Sequence, residues 1–196
     1  MKALTIAMFT AVLAATTSFA SPITYDVLLS GPNEAPPNAS PGTGVATIVF
    51  DLALHSLSID VSFTGLLGTT TASHIHCCTA VPGVSTAQVA TQTPSFVGFP
   101  LGVTSGTYNQ TFDTSVAGFY NPAFVTAHGN TVAQAEADFA AGLAAGTSYL
   151  NIHTSVVGSG EIRGFLIAEA AAPEPATFVL AGLALVGLAA RRRRAA

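Results

Sequence analysis

The sequence predicts an all-β fold, an antiparallel β-sandwich or flattened barrel with one helix inserted late. Three observations lead there. Between its two hydrophobic ends the chain is rich in glycine, threonine, serine and valine and poor in lysine and glutamate, a composition that favours strands over helices. Short alternating or β-branched runs recur, bounded by glycine, proline or asparagine, as the strands of a sandwich are. One segment only, after Asn130, repeats its apolar residues at helical spacing.

Ile23–Leu29 alternates loosely and predicts the first strand. Gly31-Pro-Asn-Glu-Ala-Pro-Pro37 follows, and its prolines lack N–H donors and force a turning or extended path. Gly44–Leu52 is β-rich through Val45, Thr47, Ile48, Val49 and Phe50. Ser56–Phe63 alternates most cleanly, with Leu57, Ile59, Val61 and Phe63 on one face and Ser58, Asp60 and Ser62 on the other. Asp51–His55 is then the turn between two strands. Thr69–Cys77 predicts a strand carrying His74-Ile-His76, Pro82-Gly83 a turn, Ser85–Thr91 a strand, and Leu101–Phe112 a weaker one. Thr131-x-x-Gln134 fits a capping box. Val132, Ala135, Phe139 and Leu143 then share a helical face, and Gly146 closes the helix. Thr147–Ser155 and Glu161–Ala168 are the last two strands, joined by a glycine-containing turn.

The ends divide the chain into three parts. Residues 1–20 read as a secretory signal: Lys2 supplies positive charge, Leu4–Leu13 an apolar stretch, and Ser18-Phe-Ala20 a small-x-small site for cleavage after Ala20. Residues 21–170 form the β domain. In residues 171–196, Pro173, Glu174 and Pro175 precede an apolar run from Ala176 to Ala190, and Arg191, Arg192, Arg193 and Arg194 follow it. Fifteen residues lie at the short edge for a membrane helix, and four arginines directly after it stay cytoplasmic. The body between the ends holds nine carboxylates (Asp26, Glu34, Asp51, Asp60, Asp113, Glu136, Asp138, Glu161 and Glu169) and one cation, Arg163, a formal charge of −8 against −4 for the whole chain. An acidic body argues against nucleic acid.

A lone arginine in such a body marks a polar centre. Alternation on the last two strands sends Leu150, Ile152, Ile162 and Leu166 one way, and Asn151, His153, Glu161 and Arg163 the other. If the strands pair as a hairpin, those four side chains crowd one patch, where Glu161 can take Arg163 in a bidentate pair. Glu34, between its prolines, can serve as an extra partner for Arg163, although nothing local demands it. His74 and His76 share a strand face, and with His153 they offer three ligands to copper or zinc. The same residues also fit a hydrogen-bonded network with no metal. His55 and His128 fall in turns and read as solvated. Cys77 and Cys78 are adjacent, which leaves a vicinal disulfide, intermolecular bonds, free thiols or metal ligation open.

The tail from Pro173 to Ala196 resembles the PEP-CTERM sorting signal of Gram-negative bacteria. That resemblance implies recognition by an exosortase at the Pro-Glu-Pro, with the apolar run held in the inner membrane before processing. The body resembles the CHRD domain, first described in chordin. Leu29-Ser-Gly-Pro-Asn-Glu-Ala-Pro-Pro37 with Gly42-Thr-Gly44, Ala72-Ser-His-Ile-His76, Ala145-Gly-Thr-Ser-Tyr-Leu-Asn-Ile-His-Thr154 and Gly160-Glu-Ile-Arg-Gly164 carry it. Cys77-Cys78 stands where the family usually has small residues. The resemblance implies an immunoglobulin-like or related Greek-key sandwich.

Two functions follow as expectations. One is a non-enzymatic module at the periplasm, cell surface or extracellular matrix, needing no cofactor, with exopolysaccharide or envelope components as partners. The sequence has no G-x-S-x-G elbow, phosphate-cradling loop or H-E-x-x-H pair on which to rest an enzyme. The other is an extracytoplasmic metal-binding protein that uses His74, His76 and His153 for copper or zinc.

Overall fold

Alternating burial follows from alternating chemistry along the first three strands of the computed structural model, which describes residues 21–168. The predicted signal segment and the sorting tail with its apolar run lie outside those residues. No helix among the described residues is long and apolar enough to cross a membrane. Strand β1 spans Ile23–Ser30, β2 Thr43–Asp51, β3 Ser56–Thr64, β4 Thr70–His76 and β5 Gly106–Asp113; helices α1 (Pro122–Ala127) and α2 (Val132–Ala144) precede β6 (Tyr149–Thr154) and β7 (Ile162–Phe165). Tyr25, Val27 and Leu29 of β1 and Leu57, Ile59 and Val61 of β3 face the core.

All seven strands join one antiparallel sheet in the order β4-β6-β7-β1-β2-β3-β5. The sheet curls so that its two edges approach. Thr70 at the start of β4 donates its N–H to the carbonyl of Val103 and accepts from Gly102, each at 2.8 Å, on the approach to β5. Aromatic side chains fill this seam: Phe96 and Phe99 lie against Tyr108, and Phe112 against Phe119. The result is the flattened barrel or sandwich that the alternation predicts.

Helix α2 packs Ala135, Phe139 and Leu143 into the core, and Thr131 caps it by accepting the N–H of Gln134. Its buried Glu136 ties the helix to the sheet, accepting from the Thr114 hydroxyl and lying 3.0 Å from His55 Nδ1. His55 is thus paired as well as half-exposed, and His128 likewise meets Asp138 at 2.9 Å.

Two stretches differ from expectation. Ser85–Thr91 makes only isolated bridges, from Val89 to His76 and from Thr91 to Tyr120. It runs beside β4 as irregular chain because the Thr91 hydroxyl takes the N–H of Ile75 that a ladder carbonyl would take. Helix α1 went unpredicted. Its six residues are too few to show a helical period, and its cap, in which Asn121 accepts from Ala123, is a local signal only.

Candidate functional site

The outer faces of β4, β6 and β7 carry the polar residues, and register decides which of them meet. Leu150 and Ile152 of β6 and Ile75 of β4 turn inward, so Tyr149, Asn151 and His153 share an outer face with His74 and His76. Asn151 sits between His74 on one side and Arg163 on the other; Tyr149 sits between His76 and Phe165. Chain from 31–38 and 85–95 covers this face. His74 is left 7% exposed, Asn151 2% and Arg163 3%.

Three imidazoles converge there. His74 lies 4.9 Å from His153 and 5.6 Å from His76 between ring centroids, and His76 lies 5.9 Å from His153. Each ring is fixed through one nitrogen. His74 Nε2 lies 2.7 Å from the carbonyl of Pro94, His76 Nδ1 2.8 Å from that of Ala87, and His153 Nδ1 3.0 Å from that of Gly158. A carbonyl only accepts, so each of those nitrogens donates an N–H. In a neutral ring the other nitrogen then bears a lone pair. Those three atoms, His74 Nδ1, His76 Nε2 and His153 Nε2, are shielded from solvent and have no hydrogen-bond partner among the described residues. The cluster can bring one ligand atom from each ring to within 4.8 Å of the others. Burial pushes His74 and His76 down to about 4, with His153 adding to the effect on His74. Burial lowers His153 as well. Burial therefore favours the neutral form of all three rings, and for His74 and His76 it does so well below the usual histidine range near 6.5.

Arg163 sits one ring away. Its guanidinium lies 4.6 Å over the Tyr149 ring, whose opposite face stacks on His76 at 4.7 Å and 7° between planes. Its Nη1 donates to the carbonyl of Ser85 at 2.9 Å, and its Nε to that of Asn33. Glu34 is its ionic partner, 3.8 Å away, and the Asn151 amide donates to both Glu34 oxygens at 3.2 and 3.3 Å. Burial pushes the Glu34 carboxyl up to about 7, with Arg163 and Asn151 pulling it back.

Glu161 does not join this cluster, contrary to the pairing expected from alternation. Gly160 adopts φ 126°, open to glycine alone among ordinary residues, and this bend turns Glu161 toward the end of the barrel. Its carboxylate accepts from the hydroxyls of Ser40 and Thr154, each at 2.6 Å, and from the N–H groups of Leu67 and Gly68 at 2.6 and 3.2 Å. Burial pushes this carboxyl up, but those four bonds outweigh it and hold it below the usual range. Arg163 and Glu161 thus belong to separate networks.

Cys77 and Cys78 are bonded to each other, which removes both as thiolate ligands. The disulfide packs on α2 at Gly142, where any Cβ would collide with both sulfurs. Sequence reasoning missed the carbonyls of Pro94, Ala87 and Gly158 because backbone acceptors leave no residue-type signal. It also missed Tyr149 as the plate between Arg163 and His76, although the Tyr149 and His153 alternation placed both on one face.

Comparison with known proteins gives two family matches: the CHRD domain over residues 25–166 and the PEP-CTERM protein-sorting motif over residues 171–194. No curated protein and no solved structure matches the chain.

Proposed function

The chain belongs to the CHRD domain family and carries a PEP-CTERM sorting motif, and from that premise we propose that its domain holds one copper or zinc ion on His74, His76 and His153. The sorting motif marks the chain for export through the inner membrane to the cell envelope or surface of a Gram-negative bacterium, and it implies processing by an exosortase. The domain would act there as an ion-holding module and not as a catalyst.

A single observation carries the reading: three imidazoles with ligand atoms within 4.8 Å of one another each keep one solvent-shielded, unpartnered nitrogen while a backbone carbonyl fixes the other. Three neighbouring lone pairs repel and lack the hydrogen bonds that buried polar atoms normally have. A cation on all three removes both costs, and a ring whose far N–H is held by a carbonyl is the usual orientation of a metal-bound histidine. The fit requires some closing. Bonds of roughly 2.0–2.1 Å put donor nitrogens about 3.3–3.5 Å apart, inside the 4.8 Å limit of the cluster, so the rings must draw inward about their carbonyl anchors. The shielding of the three nitrogens supports holding over turnover, since a substrate would have to reach the ion through them.

Elemental analysis of the exported protein tests this. About one equivalent of copper or zinc per chain is expected, falling at least about tenfold in His153→Ala, whose ring is the least tied into the core. A cooperatively folded protein that takes up neither metal would refute the reading.

A further inference from the structure

Resting on the three-histidine reading above, we propose that the ion this site selects is monovalent copper, Cu(I), bound by the three imidazoles alone in preference to zinc or Cu(II).

Coordination number is the first argument. Structural zinc is almost always four-coordinate, and catalytic zinc completes three protein ligands with water. Among the described histidines, cysteines and carboxylates the cluster supplies three donors and no fourth, the sulfurs of Cys77 and Cys78 being bonded to each other. Solvent reaches essentially none of the three nitrogens, which closes the route by which water would fill the place. Cu(I) has a filled d shell and accepts a three-coordinate, trigonal set without a further ligand, whereas Cu(II) favours tetragonal sites.

Charge is the second. The three rings are anchored by backbone carbonyls, not carboxylates. Arg163 stands one tyrosine ring away, and Glu34, the nearby acid, is already engaged by Arg163 and Asn151. A dication would enter a dry, neutral pocket beside a fixed positive charge. The Born cost of burying an ion rises as the square of its charge, so a dication meets about four times the penalty of a monocation. Neutral imidazole is a ligand copper accepts, and halving the ionic charge relieves both terms.

The test uses the full exported chain. Under anaerobic conditions it is titrated with Cu(I) against a chromophoric Cu(I) chelator, then challenged with a large molar excess of zinc, which imidazole also suits. The expected result is one tightly held Cu(I) that zinc does not displace, with an X-ray absorption edge of three-coordinate Cu(I) and no Cu(II) resonance signal in air. Displacement by zinc, or a tetragonal Cu(II) signal, would overturn this inference while leaving a metal site standing. Failure of both ions to bind would overturn the three-histidine reading itself, and this inference with it.

Discussion

Arg163→Ala should lower the free energy of unfolding by about 3–5 kcal/mol at pH 8, the cost typical of removing one member of a buried ion pair. The guanidinium is 3% exposed. Its loss strands the carbonyls of Asn33 and Ser85 and uncovers one face of Tyr149. It also leaves the Glu34 carboxylate buried with the Asn151 amide and the Ala35 N–H as its remaining support. The pH dependence has a definite sign. Glu34 titrates near 7 in the fold and near 4.3 in the unfolded chain, so the unfolded state binds fewer protons between those values, and stability falls as pH rises through that window. Removing Arg163 raises the folded value further and steepens the fall. Chemical denaturation at pH 5, where Glu34 is protonated in the fold, should therefore show a smaller loss than at pH 8. A loss of a few tenths of a kcal/mol at both values would place Arg163 outside any buried pair.

Glu161→Ala carries the second large effect, on the order of 3–4 kcal/mol, because it leaves buried donors unsatisfied. Leu67 and Gly68 lose their N–H acceptor, and the hydroxyls of Ser40 and Thr154 lose theirs. These residues join the β1–β2 connection, the β3–β4 connection and the end of β6, so the variant loosens one whole end of the barrel. Its pH dependence is opposite to that of Glu34. The folded carboxyl is held below its usual range, so its contribution is present above the unfolded value and is lost as pH falls through the folded one. The double variant Arg163→Ala/Glu161→Ala separates two pictures. Residues in separate networks should add to within about 0.5 kcal/mol. Residues forming one ion pair would show the double variant barely worse than either single.

Much of the fold was legible because period-two chemistry is local. The alternation of Leu57, Ile59, Val61 and Phe63 fixes which face of β3 is buried, and the Thr131 cap with Phe139 and Leu143 fixes α2. The Ser85–Thr91 stretch was misread because strand-forming residues specify extended chain without specifying a partner, and here a threonine hydroxyl replaces the ladder. His74 and His76 could be named from spacing, since i and i+2 on a strand share a face, whereas His153 entered as a third histidine from another strand. The Glu34–Arg163 contact joins residues from opposite ends of the domain, and local pattern gave no register for it. Glu161 was misassigned because alternation assumes a straight strand, and Gly160 bends this one. The export route was legible from Pro173, Glu174, Pro175 and the four terminal arginines.

The central claim is that His74 Nδ1, His76 Nε2 and His153 Nε2 form one donor set. Nitrogen NMR of the ¹⁵N-labelled domain, followed from pH 8 to pH 4 with and without added metal, tests it most directly. The predicted result is neutral His74 and His76 rings at pH 5.5, where an ordinary histidine is about nine-tenths charged, a His153 that titrates below the ordinary value, and protons on His74 Nε2, His76 Nδ1 and His153 Nδ1. On addition of about one equivalent of metal, the three opposite nitrogens alone should take the large coordination shift. Rings that protonate near 6.5, the reverse tautomers, or metal addition that leaves those three resonances unmoved would contradict it.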